Sequence, residues 1–454
     1  MTATGTMRAR RFAARGVGRT GLLIFVAIAL GLAAGRLLTY EDSRASNTAG
    51  SAASPLARVE QLEAAVERDP TDRASLQALG AAYVQSVAAG GDVSLFNDAE
   101  AVLERAEALA PSDPRTQVIQ GYLALARHDF ALARALGAGA HEADPFDADA
   151  LSVLVDAEVE LGLYDDAATH LQDLLDVRPG LAAYSRVSYL RELHGDVEGA
   201  RRAFAQAEAA GSDPYDLASV AVLRGKLALA HGDLDEAAAH FAGARRYVDA
   251  PAGAEAGEAR LLAARGDRAG AIAILETAIT ERPTAEVAIL LGDLLRLEGR
   301  EGDAERADAV VRDLASEERA AGADVNMELA LFEADRGNAP AALELAELAH
   351  AVKPANVNAN IAMAWALRAN GRTAEAVPYV DQALRLGTLD GLLRFRAAAV
   401  LADAGQAEQA AQELRIAFDV NPFFSFGHLT EANALASRLG VVPTGITPAS
   451  PVTI

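Results

Sequence analysis

The chain is 454 residues long and contains no cysteine. Without a thiol there is no disulfide framework, no Cys-ligated zinc, no thiol nucleophile and no lipid-anchor cysteine. Aromatic residues are scarce at 5%, with a single tryptophan. Positive charge is also short: 41 Lys+Arg face 64 Asp+Glu, a formal charge of −23. Affinity for duplex nucleic acid comes from Lys and Arg displacing counterions, so nucleic acid is not an expected partner. What the chain does have is small and apolar. It is 51% hydrophobic, too apolar to be disordered throughout. Alanine is the best helix former and lets helix axes approach closely. The length fits about two to four ordinary domains, or one solenoid.

The first fifty residues differ from the rest. Arg8, Arg10, Arg11, Arg15 and Arg19 precede an uncharged run from Gly21 to Gly35, which Arg36 closes. A basic stretch before an apolar run is an export signal or a membrane anchor. The length lies on the border between the two, since a spanning helix needs about 17–25 residues and a signal core about 7–15. Ala33-Ala34-Gly35 offers a small-x-small cleavage site. The expected division is a basic cytoplasmic tail (1–19), an anchor or signal (20–38) and a flexible Ser/Ala/Gly tether (39–55). A repeat array (56–440) and a disordered tail (441–454) follow. Arginines before the run place the N-terminus in the cytoplasm and the remainder outside it. Residues 1–50 hold seven Arg against Glu41 and Asp42, a net +5, which leaves −28 for the rest.

From Pro55 onward the chain repeats. Pro111, Pro145 and Pro179 stand 34 residues apart. Gly162, Gly195, Gly232, Gly266, Gly299, Gly337, Gly371 and Gly405 mark the period more fully, with His128 in the place before Gly162. Five residues after each comes alanine: Ala133, Ala167, Ala200, Ala237, Ala271, Ala304, Ala342, Ala376 and Ala410. The local pattern explains this register. Apolar residues at helical spacing run from Leu151 to Leu161. Gly162 then supplies the left-handed turn that ends a helix. A second helix follows, and Pro179 closes it. The alanine sits where the two helices cross, where a larger side chain would push the axes apart. Repeats need neighbours to bury their faces, so half-repeat caps are expected at 56–69 and 423–439. A lengthened second helix is expected over 303–321, and an insertion at 88–93.

This pattern resembles the tetratricopeptide repeat family. Leu79-Gly80-Ala-Ala-Tyr83 matches the first-helix signature, and Leu291-Gly292-Asp-Leu-Leu295 follows it with Leu for Tyr. Gly121 and Gly225 hold the same glycine place, whereas Val155, Ser188, Ala259, Ala330, Ala364 and Ala398 replace it. Gly195-Asp-Val-Glu-Gly-Ala200 and Gly232-Asp-Leu-Asp-Glu-Ala237 resemble the turn segment. The resemblance implies an all-α, right-handed superhelical solenoid of about ten helix-turn-helix repeats, preceded by the N-terminal hydrophobic helix. It also implies a concave groove, lined by first helices, that receives a protein or peptide partner. Carried onto this register, the groove positions are Tyr122, Tyr189, Trp365 and Phe395 (aromatic), Lys226, Arg260, Arg296 and Arg368 (basic), and Asp156, Glu160, Asp293 and Asp335 (acidic). The Lys/Asn clamp that some members use for a terminal carboxylate is missing.

No catalytic constellation emerges. His141-Glu142 runs into Ala143-Asp144-Pro145, so no His-Glu-x-x-His exists. Asp147-Ala-Asp149 lacks the glycine and distal glutamate of a calcium loop and reads as a helix N-cap. Gly137-Ala-Gly139 lacks the Gly-Lys-Ser/Thr of a phosphate loop. His194 and His231 precede turn glycines and suit helix C-capping; His170 and His240 suit outer faces. No catalytic residue, cofactor or metal is expected, and the chain does not read as an enzyme. The expected function is a membrane-tethered, extracytoplasmic scaffold for protein–protein interaction. Its alternatives are a cleaved, secreted or periplasmic assembly factor and a non-catalytic subunit of an envelope enzyme complex.

Overall fold

In the computed structural model, residues 55–88 and 90–443 are described. The expected basic tail, apolar run and tether, and the tail beyond 443, lie outside them. Among the described residues there are 22 helices and no strand. A single helix, α1 (Pro55–Arg68), opens the array. Ten pairs follow: α2 (Arg73–Ala88) with α3 (Leu95–Leu109), α4 (Pro114–Ala126) with α5 (Phe130–Ala143), α6 (Ala148–Leu161) with α7 (Tyr164–Val177), α8 (Leu181–Leu193) with α9 (Val197–Ala210), and α10 (Pro214–Ala230) with α11 (Leu234–Tyr247). Then come α12 (Ala254–Ala264) with α13 (Arg268–Glu281), α14 (Ala285–Leu297) with α15 (Glu301–Ala320), α16 (Asn326–Asp335) with α17 (Ala339–Val352), α18 (Val357–Ala369) with α19 (Thr373–Leu384), and α20 (Gly391–Asp403) with α21 (Ala407–Val420). The last helix is α22 (Leu429–Leu439). Among the described residues, no helix is long and apolar enough to cross a membrane.

The register is physical. All eight turn glycines have positive φ, from 71° to 90°. His128, in the same place, is forced to φ 59°, a conformation that crowds an ordinary Cβ. All nine crossing alanines are at 0% exposure. At Gly225, a Cβ would stand 2.6 Å from the Phe241 ring, so α11 drives a whole aromatic into that gap. Asp147 caps α6 by accepting from the N–H groups of Asp149 and Ala150. The long second helix is α15, with 20 residues. The C-terminal cap differs from expectation: only 429–439 is helical, and the six residues before it follow another path.

First helices of neighbouring repeats pack directly on one another, whereas second helices chiefly touch their own partners and the next first helix. The first-helix layer is therefore the inner side of a curve. That curve closes. Asn356 Nδ2 donates to the Glu160 carbonyl at 3.0 Å, and Val357 N–H donates to the Tyr164 hydroxyl at 3.1 Å. His128 Nδ1 lies 2.9 Å from the Asp324 carbonyl, and Asn421 Nδ2 donates to the Leu229 carbonyl at 2.9 Å. These partners are 192 to 196 residues apart in sequence. At about 34 residues per repeat, the chain returns over itself every five to six repeats. The turn edge of the first coil thus docks on the loop edge of the second. Lys353 is 1% exposed, with its ammonium 4.9 Å above the Phe130 ring. Arg385 lies 4.9 Å above Tyr164 and donates to the Gly162 carbonyl. A Cβ on Gly162 would stand 2.3 Å from the Ala355 backbone, so glycine there serves the seam as well as the turn.

Candidate functional site

The inner face of the second coil is built around one carboxylate. Asp335, at the end of α16, accepts from Trp365 Nε1 at 2.6 Å, from Arg396 Nη2 at 2.9 Å and from His428 at 3.2 Å. Burial alone would raise its pKa, but Arg396, His428 and Trp365 together hold it well below the usual range. Burial likewise lowers the His428 pKa, yet the bonds to Asp335 and Glu431 more than offset it and leave the imidazole raised. Arg368 spans Asp403 at 2.8 Å and Glu431 at 2.6 Å, with its guanidinium 4.6 Å above the Trp365 ring.

The segment from Asn421 to His428 crosses this face. Phe424 stacks on Phe395 at 5.4 Å. Phe426 packs with Leu290, Leu291 and Leu294 of α14. Gly427 passes so close to Asp293 that a Cβ would meet its carboxylate at 2.8 Å. Any side chain there would have to displace the Asp293 carboxylate, because the backbone itself lies on the inner surface. The His428 ring closes over Trp365 at 5.6 Å and Phe395 at 5.3 Å. A cavity of about 340 Å³ remains beside this strap, lined by Asp293, Arg336, Trp365, Arg368, His428 and Glu431.

The inner face of the first coil carries no such strap. Asp156 takes two bonds from Arg186, at 2.8 and 2.6 Å. Beyond them lie Glu160, Tyr189 and Glu192, all partly sunk in the surface. Burial pushes Glu160 up to about 7 against the pull of Lys353. Burial and Asp390 push Glu192 up to about 7. Arg260, on α12, is half-buried.

The tetratricopeptide repeat family model matches residues 153–216 and 222–285. Those two stretches carry tetratricopeptide repeats. Solved structures with similar architecture include TTC0263, a thermophilic TPR protein of Thermus thermophilus (22% identity, 44% of this chain and 99% of that one, TM-score 0.36). A TPR protein of Parabacteroides merdae is similar at 16% identity over 64% of this chain and 99% of its own, with TM-score 0.32. The Cut9 and Hcn1 structure of the APC/C is similar at 13% identity over 90% of this chain and 95% of its own, with TM-score 0.37. No curated protein sequence matches the chain.

The tetratricopeptide groove positions fare unequally. Tyr122 and Phe395 are at 0% exposure. They are core residues between repeats rather than open anchors, because their rings fill the layer between neighbouring first helices. Trp365, at 4%, does face inward, but His428 covers it. Arg296 pairs with Asp308, and Lys226 pairs with Glu286 at 2.7 Å across to α14. Asp293 pairs with Arg336 at 2.9 Å. These cations are therefore spent within the fold. Tyr189 packs on the seam cluster that holds Tyr164 and Val357, and Arg260, Glu160 and Glu192 are half-buried on the inner side. His194 does cap its helix, 2.8 Å from the Leu190 carbonyl. His170 instead lies 2.7 Å from Glu158.

The strap and the seam were missed at the sequence level. The strap had a signal: Phe423, Phe424 and Phe426 crowd four positions in an aromatic-poor chain. The seam had a fainter one. Lys353 is one of only two lysines, and its loop reads Lys-Pro-Ala-Asn where an earlier loop reads Asp-Pro-Phe-Asp.

Proposed function

We propose that the chain is a scaffold that holds a segment of another protein along the inner face of its first coil. The protein-binding character rests on the tetratricopeptide repeats. The choice of coil rests on one observation: the strap fills the second coil's inner face, whereas among the described residues no such segment crosses the first coil's face at Glu160, Tyr189 and Glu192, which lie half-buried beside the seam. A partner segment with an apolar side chain for Tyr189 and donors for the two carboxylates suits this chemistry. Changing Tyr189→Ala together with Arg260→Glu, followed by affinity capture, tests it. Unchanged recovery of every partner would sink this choice of face.

The same proposal places the scaffold at a membrane, with its repeats on the outer side, held by the N-terminal segment. Five arginines ahead of the Gly21 to Gly35 run support it. A reporter fused after residue 55 should be active only outside the cytoplasm, and cytoplasmic activity refutes the topology. Sequencing the mature N-terminus separates an anchored scaffold from a released assembly factor: residues before Gly35 persist only in the first. Intrinsic catalysis is not part of the proposal, and membership of an enzyme complex is compatible with it.

A further inference from the structure

The seam offers a controlled comparison within one molecule. In the first coil, Gly162, Gly195 and Gly232 lie at the turn edge, against Ala355, Gly387 and the Val420 carbonyl of the second coil. In the second coil the same edge, at Gly299, Gly337, Gly371 and Gly405, has nothing within 4 Å of where a Cβ would stand. First helices end there with their carbonyls and the negative ends of their dipoles outward. In the seam such carbonyls meet donors: Asn356 on Glu160, Arg385 on Gly162 and Asn421 on Leu229.

The chain's other free edge is the loop edge of the first coil, and it is differently made. Its loop at 144–147 reads Asp-Pro-Phe-Asp, where the docked loop at 353–356 reads Lys-Pro-Ala-Asn. Both stand directly before a first helix. Asn356 does two things at once. Its Oδ1 accepts from the N–H groups of Asn358 and Ala359, and its Nδ2 donates across the seam. Asp147 performs only the first task, accepting from Asp149 and Ala150. Its carboxylate has no hydrogen to give and would be repelled by carbonyl oxygens. Where the Ala355 backbone lies against Gly162, this loop raises Phe146, 76% exposed. Asp144 stands where Lys353 supplies a cation.

We propose that the free turn edge at Gly299, Gly337, Gly371 and Gly405 is a docking surface for another helical-repeat protein. The partner's loop edge carries amide or cationic donors. This chain's own loop edge, through Asp144, Phe146 and Asp147, refuses that role. The refusal matters because a head-to-tail contact of this kind does not close and would grow into filaments. The edge is separate from the inner face, so failure of the peptide-binding reading leaves this proposal standing, and the converse also holds.

The chain itself is the probe. Sedimentation compares the full-length wild type with D144K/F146A/D147N, which turns the free loop into a second docked loop by changing only exposed or half-buried side chains. Wild type stays monomeric. The triple variant associates head to tail, its self-affinity tightened by at least about tenfold through the restored donor bonds. D147N alone gives a weaker shift in the same direction and guards against a folding defect in the triple variant. Because the chain lacks cysteine, R372C and Q406C accept a bulky maleimide only on the free turn edge. The labelled triple variant returns to monomer. A triple variant and D147N as monomeric as wild type overturn the proposal. So do wild-type association through this edge and labelled chains that associate undiminished.

Discussion

The two coils are built from the same repeat, yet they treat their inner surfaces differently. In the second coil the carboxylates are answered: Asp335 has a tryptophan, an arginine and a histidine, and Asp293 has Arg336. The strap from Asn421 to His428 seals that face with Phe424 and Phe426. In the first coil, Glu160 and Glu192 are sunk without comparable partners, and their pKa values rise accordingly. One face is sealed by a strap; the other keeps Asp156 paired with Arg186 but leaves Glu160 and Glu192 half-buried. The lesson is that the repeat provides a curved wall, whereas what covers the wall decides whether it can bind anything. Four expectations break or sharpen this contrast, from the largest effect to the smallest.

Removing the ring beneath the strap should cost most. Phe395→Ala leaves a hole under Phe424 and Trp365, and core Phe→Ala changes cost about 3–5 kcal/mol. Denaturant unfolding measures the loss. Amide exchange should rise selectively over 421–428, while α6 and α8 stay protected. Equal loosening of both coils would show that the strap belongs to no particular coil.

Opening the seam should cost less. Asn356→Ala together with Asn421→Ala removes two inter-coil donor bonds at about 0.5–1.5 kcal/mol each, and the first also removes an N-cap worth about 1 kcal/mol. Small-angle scattering should report a longer particle with unchanged helicity. Lys353, sealed in the closed form, should become reactive toward amine reagents. Unchanged Lys353 protection would mean that packing, not the donors, holds the coils together.

Smaller effects follow from pH. The Glu160 pKa is raised to about 7 in the folded chain, so the folded state binds its proton more tightly than the unfolded chain. The stability linked to this group is therefore present at low pH and is lost as pH rises from the unfolded value towards 7. Glu160→Gln should stabilise the protein above pH 7 and change little in mild acid. Asp335 has the opposite sign: its contribution is present above its unfolded value of 3.8 and is lost as pH falls below it. Stability curves of Glu160→Gln and Asp335→Asn should therefore diverge from wild type at opposite ends of the pH scale. Parallel curves would erase the distinction between the coils.

His128→Gly should be nearly neutral. Relief of the left-handed conformation gains about 1 kcal/mol, and loss of the bond to Asp324 returns about as much. A loss above about 2 kcal/mol in thermal or denaturant unfolding would show that the ring's stacking on Phe130 is worth more than the strain.

Much of this was legible in the residues. Glycine (with His128 in one place) and alanine at a fixed offset foretold the turn and crossing point of nine of the ten pairs, because both are local requirements. One demands a left-handed φ and the other demands no bulk. The N-terminal cap helix and the long α15 followed from the same count, whereas the C-terminal cap begins six residues later than expected. The binding face was less legible. Trp365 and Arg368 were placed on the correct inner surface, but the strap that covers them lies some sixty residues onward. Tyr122 and Phe395 were assigned to the groove from an open arc, and a small change in helix rotation turns such a ring into the core.

The amino-acid sequence by itself determined the repeat, its helices and their pairing, because those interactions join residues within about one period of each other. The tertiary structure alone decided how many repeats complete a coil, since curvature is the sum of small rotations at every interface. That sum brings Asn356 to the Glu160 carbonyl and leaves Asp147, in a matching loop, facing outward. The two loops have the same length, the same proline and the same capping role. Only the return of the chain, 196 residues later for Asn356 and Glu160, makes one a clasp and leaves the other an edge.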